Sequence, residues 1–236
     1  MTNGRINSIE TLGTLDGPGI RFVAFLQGCK LRCKYCHNPE TWNINANVKE
    51  ITPQQLIKNV EKYKNYFGKN GGVTFSGGEP LLQPEFLLET LKLCKEKNIH
   101  TCLDTAGVGF GEYDEILKYT DLVILDIKAV DEDEYKELTC QDMSYFKKFL
   151  ESVVKNNKKL WLRQVIVPNI NDDKEHIQKL KKFAKDIPNV EKIELLPYRT
   201  IGVHKYKTLN IPYRLENVPD LSQEKLEELN KILFSK

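Results

Sequence analysis

Runs of β-branched and aromatic residues alternate along this chain with longer stretches in which apolar side chains recur every three or four positions. That alternation is the pattern of repeated strand–helix units around a parallel sheet. It predicts strands over Ile20–Gln27, Val73–Phe75, His100–Asp104, Leu122–Leu125, Leu160–Val167 and Val190–Leu195. It predicts helices over Pro53–Tyr66, Pro84–Lys97, Tyr113–Tyr119, Ser144–Asn156, Asp172–Asp186 and Ser222–Phe234. Thr52 stands as the N-cap of the first helix and Pro53 at its first helical position. Eight such units close a full barrel of ~250 residues. Six cannot, so the expected fold is α/β, an open (β/α)6 partial TIM barrel or a doubly wound sheet, with residues 1–236 as a single domain. In either arrangement ligands sit beyond the carboxyl ends of the strands, so chemistry is sought in the residues that follow each strand.

Composition narrows the partners only a little. The balance of 35 basic against 33 acidic residues is too even to suggest a nucleic-acid or membrane surface. The lysine-rich helix around Lys174–Lys185 reads as a solvated outer face. No apolar run reaches the ~20 residues of a membrane span, and the polar Met1–Glu10 carries no signal-peptide core, so the cytosol is the expected compartment. Thiols stay reduced there, and six cysteines are therefore read for metal or redox chemistry. Cys94, Cys102 and Cys140 lie scattered in apolar or helical stretches and receive no role.

The other three are clustered. Gly28-Cys29-Lys30-Leu31-Arg32-Cys33-Lys34-Tyr35-Cys36-His37 follows the first strand with the spacing Cys-x3-Cys-x2-Cys. A Cys3His zinc site would need the adjacent Cys36 and His37 to face one tetrahedral ion, which neighbours rarely do. Cys33 to His37 also matches the haem-attachment pattern, but that chemistry belongs outside the cytosol. An iron–sulfur cluster fits better: soft thiolates favour it, and a [4Fe–4S] cube held by three cysteines leaves one iron open.

Polar residues recur at the later strand ends. Ser76-Gly77-Gly78-Glu79-Pro80 supplies paired glycines where a ligand can approach the backbone closely. Asp104-Thr105 and Asp126-Ile127-Lys128 bring two acids and a lysine to the same rim, either as an ion pair or as ligand contacts. Arg163, among Trp161, Leu162, Val165 and Ile166, faces a polar cavity with an anion or makes a structural salt bridge. His204 lies in Pro197–Asp220, a Pro- and Tyr-rich segment with no helix pattern, consistent with a lid loop over 197–220. Before the first strand, Thr14-Leu15-Asp16-Gly17-Pro18-Gly19-Ile20-Arg21 is by composition a turn.

Taken together, the cysteine loop and the Gly77-Gly78-Glu79 turn resemble the radical S-adenosylmethionine (SAM) superfamily. The T-x-D-G-P-G-x-R segment resembles its glycyl radical activating family, and matching segments extend over essentially the whole chain. The resemblance implies that Cys29, Cys33 and Cys36 hold the cluster and that its open iron chelates S-adenosylmethionine. It places Tyr35, Cys36, His37, Gly77, Gly78, Glu79, Asp126, Ile127, Lys128 and His204 on that cosubstrate, with Arg163 as a further candidate. It allows a monovalent cation at Asp104, Thr105 and Asp126, and makes Asp16 the contact with the partner's glycine segment. The implied activity is hydrogen abstraction from a glycine Cα of a glycyl radical enzyme by a 5′-deoxyadenosyl radical, with flavodoxin or ferredoxin as electron donor and the chain itself a monomer. No cysteine lies between Cys36 and Cys94, so the ferredoxin-like insert of several relatives is absent, which points to the short type that acts on pyruvate formate-lyase. Two alternatives stay open on the sequence: a radical SAM enzyme acting on a small molecule such as a deazapurine precursor, and a non-catalytic, zinc-stabilised binding module.

Overall fold

A computed structural model describes residues 2–235. In chain order, a strand at Gly4–Gly13 (β1) precedes Arg21–Leu26 (β2), and Lys49–Ile51 (β3) leads into the helix Pro53–Glu61 (α1). Then come Gly72–Gly77 (β4), Pro84–Glu96 (α2), His100–Thr105 (β5), Tyr113–Lys118 (α3) and Leu122–Asp126 (β6). Two helices follow, Glu132–Thr139 (α4) and Ser144–Lys155 (α5), before Lys159–Ile166 (β7) and Lys174–Lys185 (α6). The chain continues with Val190–Pro197 (β8), Val203–Leu209 (α7) and Gln223–Phe234 (α8).

One eight-stranded sheet carries the order β3-β1-β2-β4-β5-β6-β7-β8. Neighbours from β2 and β4 to β8 are parallel, as the six predicted strands require. β1 runs antiparallel to β2, and β3 antiparallel to β1. Helix starts follow local chemistry: Thr52 and Gln55 form a reciprocal capping box at α1, an arrangement of about 1 kcal/mol. Pro53 stands at the first helical position, as expected.

Strand residues alternate between two faces. Leu103, Val123, Leu125, Leu160 and Leu162 join Phe86, Ile116 and Phe149 in the main core between sheet and helices. On the other face Cys102, Leu122, Ile124 and Trp161 form a separate small cluster inside the partial barrel. Two residues further along the same strands, Asp104, Asp126 and Arg163 replace that apolar layer with charge. Among the described residues no helix is long and apolar enough to cross a membrane.

Five features depart from the expectations: β1 and β3 were not among the predicted strands, and three helical segments differ. α1 ends at Glu61, and only a single 3-10 turn at Lys64–Tyr66 follows it. α4 was not expected, because Glu132 to Thr139 offers only Tyr135 and Leu138 as buried apolar residues. Residues 203–209, placed in a segment without helix pattern, form α7, of which only Tyr206 is buried.

Candidate active site

The cysteine loop leaves β2 through Gly28, whose φ of +102° favours glycine. Its amides are held from outside the loop. Gly28 N donates to Thr41 O at 2.7 Å, Arg32 N to Thr139 O at 2.8 Å and Lys34 N to Leu138 O at 2.9 Å. The carboxyl end of α4 thus carries the loop. Leu31, Cys33 and Tyr35 pack with Ala106, Leu138, Tyr198 and Leu215 in an apolar cluster over the strand ends.

β4 ends against this loop. A Cβ on Gly77 would lie 2.3 Å from Leu26 N, and one on Gly78 would lie 2.3 Å from Gly28 O. Only glycines let the turn approach, and Gly78 N and Glu79 N then donate to Leu26 O (2.9 Å) and Gly28 O (2.8 Å). The Glu79 side chain turns inward and is fully buried. It accepts from Thr105 Oγ1 (2.6 Å), Ala106 N (2.9 Å) and Leu81 N (3.1 Å), which ties the β4 and β5 loops together.

Cys29, Cys33, Cys36, Tyr35, His37, Gly77, Gly78, Asp104, Thr105, Asp126 and Lys128 line one cavity over the carboxyl ends of the strands. Ser76 lines it too and donates to Asp104 at 2.8 Å; its place at a strand end was the signal that could have marked it. Lys128 pairs with Asp126 at 2.7 Å and stands 5.5 Å from the centre of the Tyr35 ring. Burial, then the neighbouring Asp126, pushes the Asp104 carboxyl up to about 6. Burial also pushes the thiols up, Cys33 to about 12, with Lys128 pulling the other way, so without a metal these cysteines are neutral. Among the described residues, the buried Tyr35 hydroxyl has no hydrogen-bond partner.

Five sequence candidates stand apart from this wall: Glu79, whose buried carboxylate serves Thr105 and Ala106, and four more. The Ile127 side chain is fully buried in the main core, because the strand alternation that turns Asp126 and Lys128 to the cavity turns Ile127 away. His204 is exposed, its Nδ1 2.9 Å from the Ile201 carbonyl, and does not reach the cavity. Arg163 is engaged: Nε donates to Glu194 Oε2 at 2.8 Å and Nη2 to the Leu15 carbonyl at 2.5 Å. The salt-bridge alternative is therefore the one realised. Asp16 lies half-buried on the loop that Arg163 holds, its carbonyl accepting from Thr74 Oγ1 at 2.7 Å. Thr105 lines the cavity, but its hydroxyl is committed to Glu79.

The Radical SAM superfamily model matches residues 23–183. The pyruvate formate-lyase-activating enzyme of Clostridium pasteurianum is 56% identical over 234 residues, 99% of this chain and 98% of that protein. The chain belongs to the radical SAM superfamily, among the pyruvate formate-lyase-activating enzymes. A crystal structure of a domain of pyruvate-formate lyase-activating enzyme from Bacteroides vulgatus ATCC 8482 is 27% identical, with a TM-score of 0.55 over 69% of this chain and 92% of that one. Streptococcus suis SuiB bound to precursor peptide SuiA shares the fold at a TM-score of 0.66 and 19% identity, over 86% of this chain and 42% of that one.

Membership of the superfamily implies a [4Fe–4S] cluster and S-adenosylmethionine. The residues present fit that pair. Three soft donors from one loop line a cavity together with the glycine backbone and the Asp126–Lys128 pair. Family membership thereby replaces the zinc-module alternative.

Proposed function

We infer that this chain activates pyruvate formate-lyase, and that one observation carries the assignment: the cysteine loop, the Gly77-Gly78 turn and the Asp126–Lys128 pair share one cavity wall. Cys29, Cys33 and Cys36 are the cluster ligands. When bound, the cluster and S-adenosylmethionine supply a 5′-deoxyadenosyl radical that takes a hydrogen atom from a glycine Cα of the partner.

The chain's own residues position and exclude rather than transfer protons. Gly77 and Gly78 leave backbone within reach of the amino acid moiety of the cosubstrate, since no Cβ intervenes. Tyr35 and His37 border its adenosine part. Lys128, held by Asp126, presents a fixed positive charge to its carboxylate. Glu79 acts through the two loops it binds, and is a positioning residue. Asp104 and Asp126, two acids across one wall, are the place for a monovalent cation, which would offset the burial and the Asp126 charge that raise Asp104. Asp16 faces the glycine segment of the partner from the loop clamped by Arg163. Residues 197–220, α7 included, form the lid that keeps water out, and Tyr198 and Leu215 already pack on the cysteine loop. Flavodoxin or ferredoxin donates the electron in the cytosol, and the chain works as a monomer in a transient one-to-one complex.

The test is anaerobic reconstitution with iron and sulfide, followed by an assay for 5′-deoxyadenosine and for the glycyl radical of added pyruvate formate-lyase. Wild-type protein is expected to give both and Cys33→Ala neither. Deoxyadenosine without a glycyl radical would send the assignment to another substrate.

A further inference from the structure

α7 and the residues before it grip the far shoulder of the cysteine loop. The Tyr206 hydroxyl donates to the Cys36 carbonyl at 2.9 Å. The Lys205 ammonium donates to the Asn38 side-chain oxygen at 2.8 Å and pairs with Glu40. His37 Nε2 donates to the Arg199 carbonyl at 2.8 Å. Gly202 lies so close that a Cβ on it would stand 2.8 Å from His37 Cα.

Within this grip the Asn38 N–H is directed at Cys36 Sγ, at 3.4 Å. The Cys36 carbonyl and the Asn38 amide belong to one short turn, so fixing the carbonyl at one end and the Asn38 side chain at the other fixes the direction of the N–H between them. Tyr206 is itself immobilised: it is 3% exposed, edge-on to Trp42 at 5.9 Å and against Tyr213 at 4.8 Å. A backbone N–H aimed at a ligand sulfur favours added negative charge on it, and hydrogen bonds to ligand sulfurs are among the features that set a cluster's reduction potential.

We propose that Tyr206 and Lys205 are positioning residues that hold the Asn38 N–H on the Cys36 sulfur, so that the lid helix sets the reduction potential of the cluster. The proposal rests on Cys36 being a cluster ligand, as assigned above. It gives α7 an electronic task besides covering the site: a change in how the helix sits alters how readily the cluster accepts its electron.

Tyr206→Phe keeps the ring between Trp42 and Tyr213 and removes only the donor. The variant, reconstituted to full iron content, is titrated against redox mediators with the reduced cluster read by electron paramagnetic resonance. The reduced-to-oxidised ratio at a fixed poise is expected to fall about three- to tenfold, the range that one hydrogen bond covers; tenfold is 59 mV for a one-electron couple. Lys205→Met is expected to shift the ratio the same way, and Lys207→Met, exposed on the same helix, to leave it at the wild-type value. An unchanged ratio in the first two overturns the proposal, as does lost iron or thermal stability with no shift. Should Tyr206→Phe fail to hold its cluster, Lys205→Met decides, and an unshifted ratio there overturns it. A wild-type protein that takes up no cluster fails the proposed function instead, before any variant is compared.

Discussion

The two ends of the partial barrel solve the same problem, a charge in a confined interior, in opposite ways. At the amino ends of the strands Arg21 is completely buried and fully engaged. Nε donates to Thr74 Oγ1 (2.9 Å), Nη2 to Val73 O (2.5 Å) and His100 O (3.4 Å), and Nη1 to Asn70 O (3.3 Å), Pro18 O (3.4 Å) and His100 Nδ1 (3.3 Å). At the carboxyl ends Asp104 has one hydroxyl donor and a second carboxylate acting on it, and three neutral thiols stand nearby. The first end is finished by the chain itself. The second is complete only with added groups, and the contrast separates stability from activity along one axis of one sheet.

Removing Arg21 should break the comparison most severely. Arg21→Leu leaves several buried carbonyls without a donor and is expected to lower unfolding stability by about 3–5 kcal/mol, measured by urea titration of the apoprotein. Gly78→Ala comes next. A methyl 2.3 Å from Gly28 O must push the β4 turn off the cysteine loop, at a cost of about 2–3 kcal/mol, and is expected to show equally as reduced iron uptake.

Asp104→Asn acts in the opposite direction and sharpens the contrast. The Asp104 carboxyl sits at about 6 rather than 3.8, so the folded chain binds its proton more tightly than the unfolded one. Its contribution to stability is present at acid pH and is lost as the pH rises from about 4 through about 6. At pH 7.5 the Asn variant is therefore expected to be about 1–3 kcal/mol more stable than wild-type apoprotein, and the difference to vanish near pH 4. Potassium that stabilises the wild type but not the variant would place the cation at this residue. The smallest effect is expected from Lys95→Met. Its partner Asp121 also accepts from Thr101 N, and the half-exposed pair is worth about 0.3–1 kcal/mol by thermal melting.

Sequence periodicity reached the six parallel strands because each is a short β-branched run flanked by turn residues, and all six lie where they were predicted, with ends shifted by a residue or two. β1 escaped because its apolar residues Ile6, Ile9 and Leu12 stand three apart, off the two-residue strand period, with irregular register against β2, and β3 because three residues carry no period. In the site, cysteine spacing and strand-end glycines were legible since each is a local pattern. Residues whose roles depend on distant partners were not. Nothing near Tyr206 in sequence points to Cys36, and nothing near Glu79 shows that its carboxylate serves Thr105 and Ala106 rather than the cavity. Ile127 was drawn in by its motif neighbours, although the two-residue period of a strand puts it on the opposite face.

An interrupted barrel has a consequence for how the molecule behaves in a crowded solution. Closure abolishes sheet edges, and a sheet left open keeps two, each a row of unpaired backbone groups on which another chain can add a strand. Here one edge is β3, only three residues long and carrying Lys49 and Glu50. The other is β8, which carries Glu191, Lys192 and Glu194 and ends in Pro197. Short length, charge and a terminal proline are the features that discourage strand addition, so the chain guards chemically the edges it does not close.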